Sequence, residues 1–198
     1  MQYEFIDKNP AMVQAWKAVF KAEEKVTIYE GDLTTVVSDA IVSPANSFGF
    51  MDGGVDLAIS LRLGWYVQTR LQTEIQNLPE GELLIGRSLT IPTDDPYIPY
   101  VIATPTMRVP MSFNIATSVN AYLATKAALI AAIRHPNIET VAFPGMCTGV
   151  GRMKPETAAH QMYQAFQEIV HGQKMKFYTF GAAQRYHWTL NEEGMIYR

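Results

Sequence analysis

Two short apolar runs in this chain end in glycine-bearing loops, and each loop leads into a segment of helical periodicity. The first is Ser43-Pro44-Ala45-Asn46-Ser47 running on to Gly53-Gly54-Val55-Asp56, and the second is Pro144-Gly145-Met146-Cys147-Thr148-Gly149-Val150-Gly151. A buried strand, a glycine loop and a helix form the repeating unit of an α/β fold. At the carboxyl ends of such strands, backbone N–H groups and helix N-termini converge on anionic ligands. The layout points to a bound phosphate ester.

The segments between the loops alternate in the same way. Residues 4–7 read as a short strand, and Asn9-Pro10 as an N-cap followed by proline at the first helical position. Met12, Ala15, Trp16, Val19 and Phe20 recur at three-and-four spacing, which predicts a helix to about residue 24. Strands are expected at 26–30, 40–43, 89–92, 100–104, 140–143 and 175–180, and helices at 55–63, 66–75, 115–133 and 155–170. This order predicts a three-layer α/β/α sandwich with a mixed, mostly parallel central sheet. One domain spanning 1–198 is expected, with a core at about 25–180, an N-terminal strand-helix extension at 1–24 and a tail at 181–198 that is either a lid or a flap against the surface.

Composition narrows the function classes. With 48% hydrophobic and 18% charged residues, the chain falls outside the disordered class. Its net charge of −3 predicts no general affinity for nucleic acid, which depends on clustered lysine and arginine. No apolar run approaches the roughly 18 residues needed to span a bilayer, and Met1-Gln2-Tyr3-Glu4 lacks the order of a signal peptide. The single cysteine, Cys147, suits a reducing compartment. A cytoplasmic protein without membrane contact is expected, its oligomeric state left open. His135, His160, His171 and His187 are scattered without metal-ligand spacing, so neither a metal nor a cofactor is expected.

The loops supply the candidate chemistry, and each candidate has a purely structural alternative. Asn46 follows a buried strand, where its amide can serve a sugar hydroxyl or end the strand locally. Gly53-Gly54 permits close approach of a ligand to the backbone, or a flexible turn. Asp56, at the start of a helix, either complements the helix dipole or activates a water. The glycines at 145, 149 and 151 leave successive N–H groups free for an anion nest. The second loop lacks the Lys-Ser/Thr ending of a P-loop and misses the dinucleotide-binding fingerprint. Cys147 has no evident base beside it and reads as a small buried residue rather than a nucleophile.

Taken together, Gly31-Asp32-Leu33-Thr34, Asp39-Ala40-Ile41-Val42-Ser43-Pro44-Ala45-Asn46, Gly53-Gly54-Val55-Asp56 and Phe143-Pro144-Gly145-Met146-Cys147-Thr148-Gly149-Val150-Gly151 resemble a macro domain, the ADP-ribose-binding module, over roughly residues 25–180. The site residues are most similar to those of MacroD-type ADP-ribosyl hydrolases. The resemblance implies that Asp32 accepts from the adenine amino group, with the backbone of Leu33 facing the same base. It implies that Asn46 contacts the distal ribose, that Gly53, Gly54 and Val55 lie along that ribose and its phosphate, and that Asp56 helps activate water against the anomeric carbon. Residues Gly145, Met146, Cys147, Thr148, Gly149, Val150 and Gly151 would wrap the diphosphate, and Phe180 would stand against adenine.

The departures from the family's pattern are Ser43-Pro44 in place of Asn-Ala, the bulky run Phe48-Gly49-Phe50-Met51-Asp52 before the glycines, Ser60 in place of a histidine, and Gly151-Arg152 where an aromatic often follows. Arg152 is either a cation for the phosphates or a solvated arginine. Two function classes follow. One is a hydrolase acting at the distal ribose, of the mono-ADP-ribosyl hydrolase or O-acetyl-ADP-ribose deacetylase type. The other is a non-catalytic module that binds ADP-ribose or a related nucleotide signal. The partner is ADP-ribose, or a protein or small molecule that carries it.

Overall fold

The computed structural model describes residues 1–110 and 115–194. Strands β3 (Ala40–Ser43), β5 (Tyr100–Ala103) and β6 (Thr140–Phe143) are apolar runs without polar alternation, as expected of strands covered on both faces. They pair in parallel inside a six-stranded sheet of order β2-β1-β6-β3-β5-β4, where β1 is Gln2–Asp7, β2 is Val26–Glu30 and β4 is Leu89–Pro92. Among the described residues, only β4 runs antiparallel, against β5 at one edge.

The period-two geometry of the strands divides their side chains between two cores. Tyr3, Phe5, Val42, Ile102, Val141 and Phe143 pack beneath α1 (Pro10–Val19), α4 (Asn120–Arg134) and α5 (Pro155–Val170). Ile6, Ile41, Val101 and Ala142 face the other way, toward α2 (Gly54–Leu63) and α3 (Tyr66–Gln76). The result is the mixed, mostly parallel α/β/α architecture expected from the sequence. Ala121, Ala124, Ala128 and Ala132 recur along the buried side of α4, and their small side chains let it lie close to α5.

Three expectations need correction. β1, read as part of an extension, lies inside the sheet between β2 and β6, in register Tyr3 to Val26 and Tyr3 to Val141. The expected strand at 175–180 is absent. Residues 175–179 precede α6 (Phe180–Leu190), which Phe180 opens and Thr179 caps, its Oγ1 accepting from Ala182 N at 3.2 Å. The alternating pattern Met175-Lys176-Phe177 carries strand propensity, but β1 holds the position between β2 and β6 with Tyr3 and Phe5 already in the core, so the later segment stays exposed. Third, α1 ends at Val19 and α4 begins at Asn120, each shorter than expected. Residue 115 is drawn to the second loop instead, Ile115 N donating to Gly151 O at 3.1 Å.

The tail follows α5. Asn191 Nδ2 donates to Ala116 O at 2.7 Å and Ser118 O at 2.8 Å, and Glu193 pairs with Lys154. Residues 181–194 therefore form a flap on the helical layer; 195–198 lie outside the described residues. Among the described residues, no helix is long and apolar enough to cross a membrane.

Candidate functional site

The carboxyl ends of β1, β3 and β6 open onto a cavity of about 400 Å³. One wall comes from the first loop, with Asn46, Phe50, Asp52, Gly53, Gly54, Val55 and Asp56, and a second from the second loop, with Gly145, Cys147, Thr148, Gly149, Val150 and Gly151; Asp7 and Asn9 from the β1 end and Thr106, Met107 and Pro110 add to the lining. The two glycine loops, about a hundred residues apart in the chain, thus face one space.

Side chains organise the first wall. Beyond β3 the backbone continues beside the segment after β5, with Thr106 N donating to Ala45 O at 3.0 Å and Ser47 N to Arg108 O at 3.0 Å. Asn46 then turns the loop. Its Oδ1 accepts from Phe48 N at 3.1 Å and Phe50 N at 3.3 Å, while Nδ2 donates to Phe50 O at 2.7 Å. Of its amide hydrogens, one is left for a ligand.

Met51 is held by Gln68 Oε1 (2.7 Å from its N) and by the Ser60 hydroxyl donating to its carbonyl at 2.9 Å, and its side chain is fully buried in the α2–α3 core. Phe48 lies under the Arg108 guanidinium, 4.9 Å from the ring centre. Of the bulky run, Phe50 and Asp52 reach the cavity. Gly53 and Gly54 border open space, since a Cβ on either would meet nothing within 4 Å, and Gly54 has φ +57°.

Asp56 sits in the first turn of α2 and is 7% exposed. The Ser43 hydroxyl, at the end of β3, donates to its Oδ1 at 2.5 Å. Burial pushes the Asp56 carboxyl up to about 6; the Ser43 hydrogen bond opposes the shift and the charge of Asp52 adds to it. The other oxygen, Oδ2, bonds to no described residue. A carboxylate in this state can take a proton from water near neutral pH.

Backbone builds the second wall. Gly145 N donates to Asp7 Oδ2 at 2.9 Å, and Met153 N to Cys147 O at 3.0 Å, which folds the loop back on itself. Gly151 is required there, because a Cβ would come within 2.5 Å of the Cys147 carbonyl oxygen. Cys147 takes a left-handed φ of +66°. Among the described residues, the N–H groups of Thr148, Gly149, Val150 and Gly151 donate to none, so four consecutive donors border the cavity. The Cys147 thiol is buried and its pKa is raised by that burial, which keeps it protonated and unreactive.

Several expected residues lie elsewhere. Met146 is buried in the α1–α4–α5 core and Leu33 in the α2–α3 core. Asp32 caps a 3-10 turn, Leu33–Thr35, accepting from Thr34 N at 2.9 Å and Thr34 Oγ1 at 2.7 Å, and pairs with Lys8 at 2.7 Å. The Lys8 contact, with the Thr34 bonds, holds its carboxyl down to about 2. Arg152 has φ +54° and does not line the cavity. Phe180, expected at a strand end, is the first residue of α6 and is 81% exposed, outside the cavity lining.

Asp7, Asn9, Ser43, Thr106, Met107 and Pro110 are not among the site residues expected from sequence. Asp7 and Asn9 carried a usable signal, since Asp7-Lys8-Asn9-Pro10 has the same strand-end, helix-start form as the two glycine loops.

The Macro domain family model matches residues 42–162. An uncharacterised protein of Aquifex aeolicus is 34% identical over 144 residues, 73% of this chain and 82% of its own length. The mouse protein ADP-ribose glycohydrolase MACROD1 is 29% identical over 153 residues, and the match spans 77% of this chain but 45% of the mouse protein. O-acetyl-ADP-ribose deacetylase 2 of Pantoea vagans is 31% identical over 139 residues, 68% of this chain and 77% of its own. Among solved structures, the macrodomain of Mycobacterium tuberculosis DarG superposes with a TM-score of 0.61 at 24% identity, covering 72% of this chain and 90% of that one. The Oceanobacillus iheyensis macrodomain with ADP gives 0.62 at 19% identity, covering 83% and 86%. These two likenesses show the fold.

Proposed function

The chain belongs to the macro domain family, and we propose that it binds ADP-ribose or an ADP-ribose derivative in the cavity between its two glycine loops and hydrolyses the bond at the distal ribose. The observation that carries this reading is that four backbone donors unpaired among the described residues, Thr148 to Gly151, and the buried Asp56 carboxylate line one cavity. The donors suit a diphosphate, and the carboxylate suits the activation of water. The names of the mouse and Pantoea relatives support the same class, of the mono-ADP-ribosyl hydrolase or O-acetyl-ADP-ribose deacetylase type.

In this reading the diphosphate rests on the N–H groups of the second loop. The distal ribose lies against Gly53, Gly54 and Val55, whose open flank admits it, and takes the remaining amide hydrogen of Asn46. Adenine lies toward the β1 end, near Asp7, Asn9 and the Lys8–Asp32 pair. With a group ester-linked at the anomeric carbon, Asp56 Oδ2 takes a proton from the water whose oxygen attacks C1″, and the C1″–O bond breaks with its electron pair on the leaving carboxylate; with O-acetyl-ADP-ribose the water attacks the acetyl carbonyl carbon, the acyl C–O bond breaks, and the ribose oxygen takes the electron pair and the proton. Ser43, bonded to Oδ1, keeps the carboxylate turned for this task. Holding both reactants in one pose supplies much of the rate. The net charge of −3 and the lone buried thiol support a cytoplasmic protein without general nucleic-acid binding.

One observation favours a binding module instead: the Asn46 amide is largely consumed in shaping its own loop. Incubation with a protein ADP-ribosylated on acidic residues and with O-acetyl-ADP-ribose separates the two. Turnover lost in Asp56→Ala, with ADP-ribose affinity retained in calorimetry, is the expected result. Tight binding without turnover of any substrate selects the binding module.

A further inference from the structure

The charge of the cavity is one-sided. Its described lining carries Asp7, Asp52 and Asp56 and no lysine, arginine or histidine. Of the cations next in sequence to lining residues, Lys8 pairs with Asp32 and Arg108 with Glu82, and Arg152, exposed, lies outside the lining. The three acids also differ in state. Asp7 is satisfied by the N–H groups of Gly145 and Asn9. Asp56, 7% exposed, leaves Oδ2 unpartnered among the described residues. Asp52 is exposed one residue before the Gly53 N-cap and forms no hydrogen bond or ion pair with a described residue. Beside it, Phe50 presents a ring that is 53% exposed, its backbone fixed by Asn46.

An ester-linked substrate would release a carboxylate toward Asp52 and Asp56, where like charges repel. A cationic group meets the opposite situation, a free carboxylate and an aromatic face together. Resting on the hydrolase reading above, we propose that the preferred substrate carries a cationic nitrogen group on the distal ribose, a guanidinium or a pyridinium, which Asp52 and Phe50 receive. The chemistry balances with water alone. Water oxygen bonds to C1″ as the C1″–N bond breaks, and both electrons of that bond go to the nitrogen. The group therefore leaves as neutral guanidine or neutral pyridine. The proton that Asp56 takes from water passes to the guanidine, or to solvent when a pyridine leaves.

The test uses the full chain and three substrates: a peptide ADP-ribosylated on arginine, NAD, and a peptide ADP-ribosylated on glutamate. The expected result is a kcat/KM at least tenfold higher for one of the nitrogen-linked substrates than for the ester, and which one wins identifies the source of the cation. Asp52→Asn, at an exposed side chain without a partner, should leave the melting temperature unchanged and cut that preference at least fivefold. Independently of turnover, the same variant should lose affinity for NAD relative to ADP-ribose in calorimetry. Faster hydrolysis of the ester, or a preference indifferent to Asp52→Asn, overturns the inference and leaves the hydrolase reading standing. Absence of any hydrolysis overturns both.

Discussion

The two walls of the cavity are made in opposite ways. The first loop is organised by side chains: the Asn46 side chain makes three bonds to the backbone of Phe48 and Phe50, and Ser43 holds Asp56. In the second loop the functional groups are main-chain donors, and side chains matter chiefly by their absence, as at Gly151. A side-chain wall can lose one function and keep its shape. A backbone wall fails through geometry, because any added atom displaces the donors themselves.

The largest effect should therefore come from the second wall. Gly151→Ala forces a Cβ to within 2.5 Å of a backbone carbonyl, so ADP-ribose affinity in calorimetry should fall at least a hundredfold while circular dichroism stays native. A change below threefold would mean that this loop does not hold the ligand.

Next comes Asp56→Asn. Because the folded carboxyl is raised from 3.8 to about 6, the native state binds the proton more tightly than the unfolded chain. Stability from this group is greatest below pH 3.8 and is lost as pH rises through 6, by about 3 kcal/mol when complete. In urea unfolding, the asparagine variant should gain about that much over the parent at pH 8 and almost nothing at pH 4. Turnover by the parent should instead rise through pH 6 and level off, since only the ionised form accepts a proton. A pH-independent stability difference would mean that Asp56 is not buried as described.

Asn46→Ala removes three hydrogen bonds from a mostly buried turn and should cost about 2 kcal/mol in the same unfolding experiment. Gly54→Ala tests the boundary between the two kinds of wall. Space is open there but φ is +57°, so a cost of about 1 kcal/mol is expected from backbone strain alone. The smallest effect is assigned to Arg152→Ala. Its side chain is exposed and outside the cavity lining, so stability should shift by less than about 0.5 kcal/mol, with ADP-ribose affinity nearly unchanged. A large loss of affinity would return Arg152 to the phosphate site.

The same contrast explains what could be read from sequence. The second loop was recognisable because three glycines within seven residues after an apolar strand are a local pattern with few structural causes. In the first loop, Asn46 and Asp56 could be located but not their states, which depend on a hydroxyl thirteen residues away in sequence and on burial by other elements. Phe180 was misplaced because alternation at 175–180 describes strand propensity, not whether the sheet has a vacancy for it.

The sequence alone determined the alternation of strands and helices, the two glycine loops and the family resemblance, because burial runs, caps and glycine requirements are local. Tertiary structure decided which segment completes the sheet: β1, from the N-terminus, took the position between β2 and β6 and brought Asp7 and Asn9 to the cavity. It also decided that Asp56 is buried against Ser43 while Asp52 stands free. Strand order and desolvation are properties of non-local packing, and a linear pattern that satisfies two positions equally well cannot choose between them.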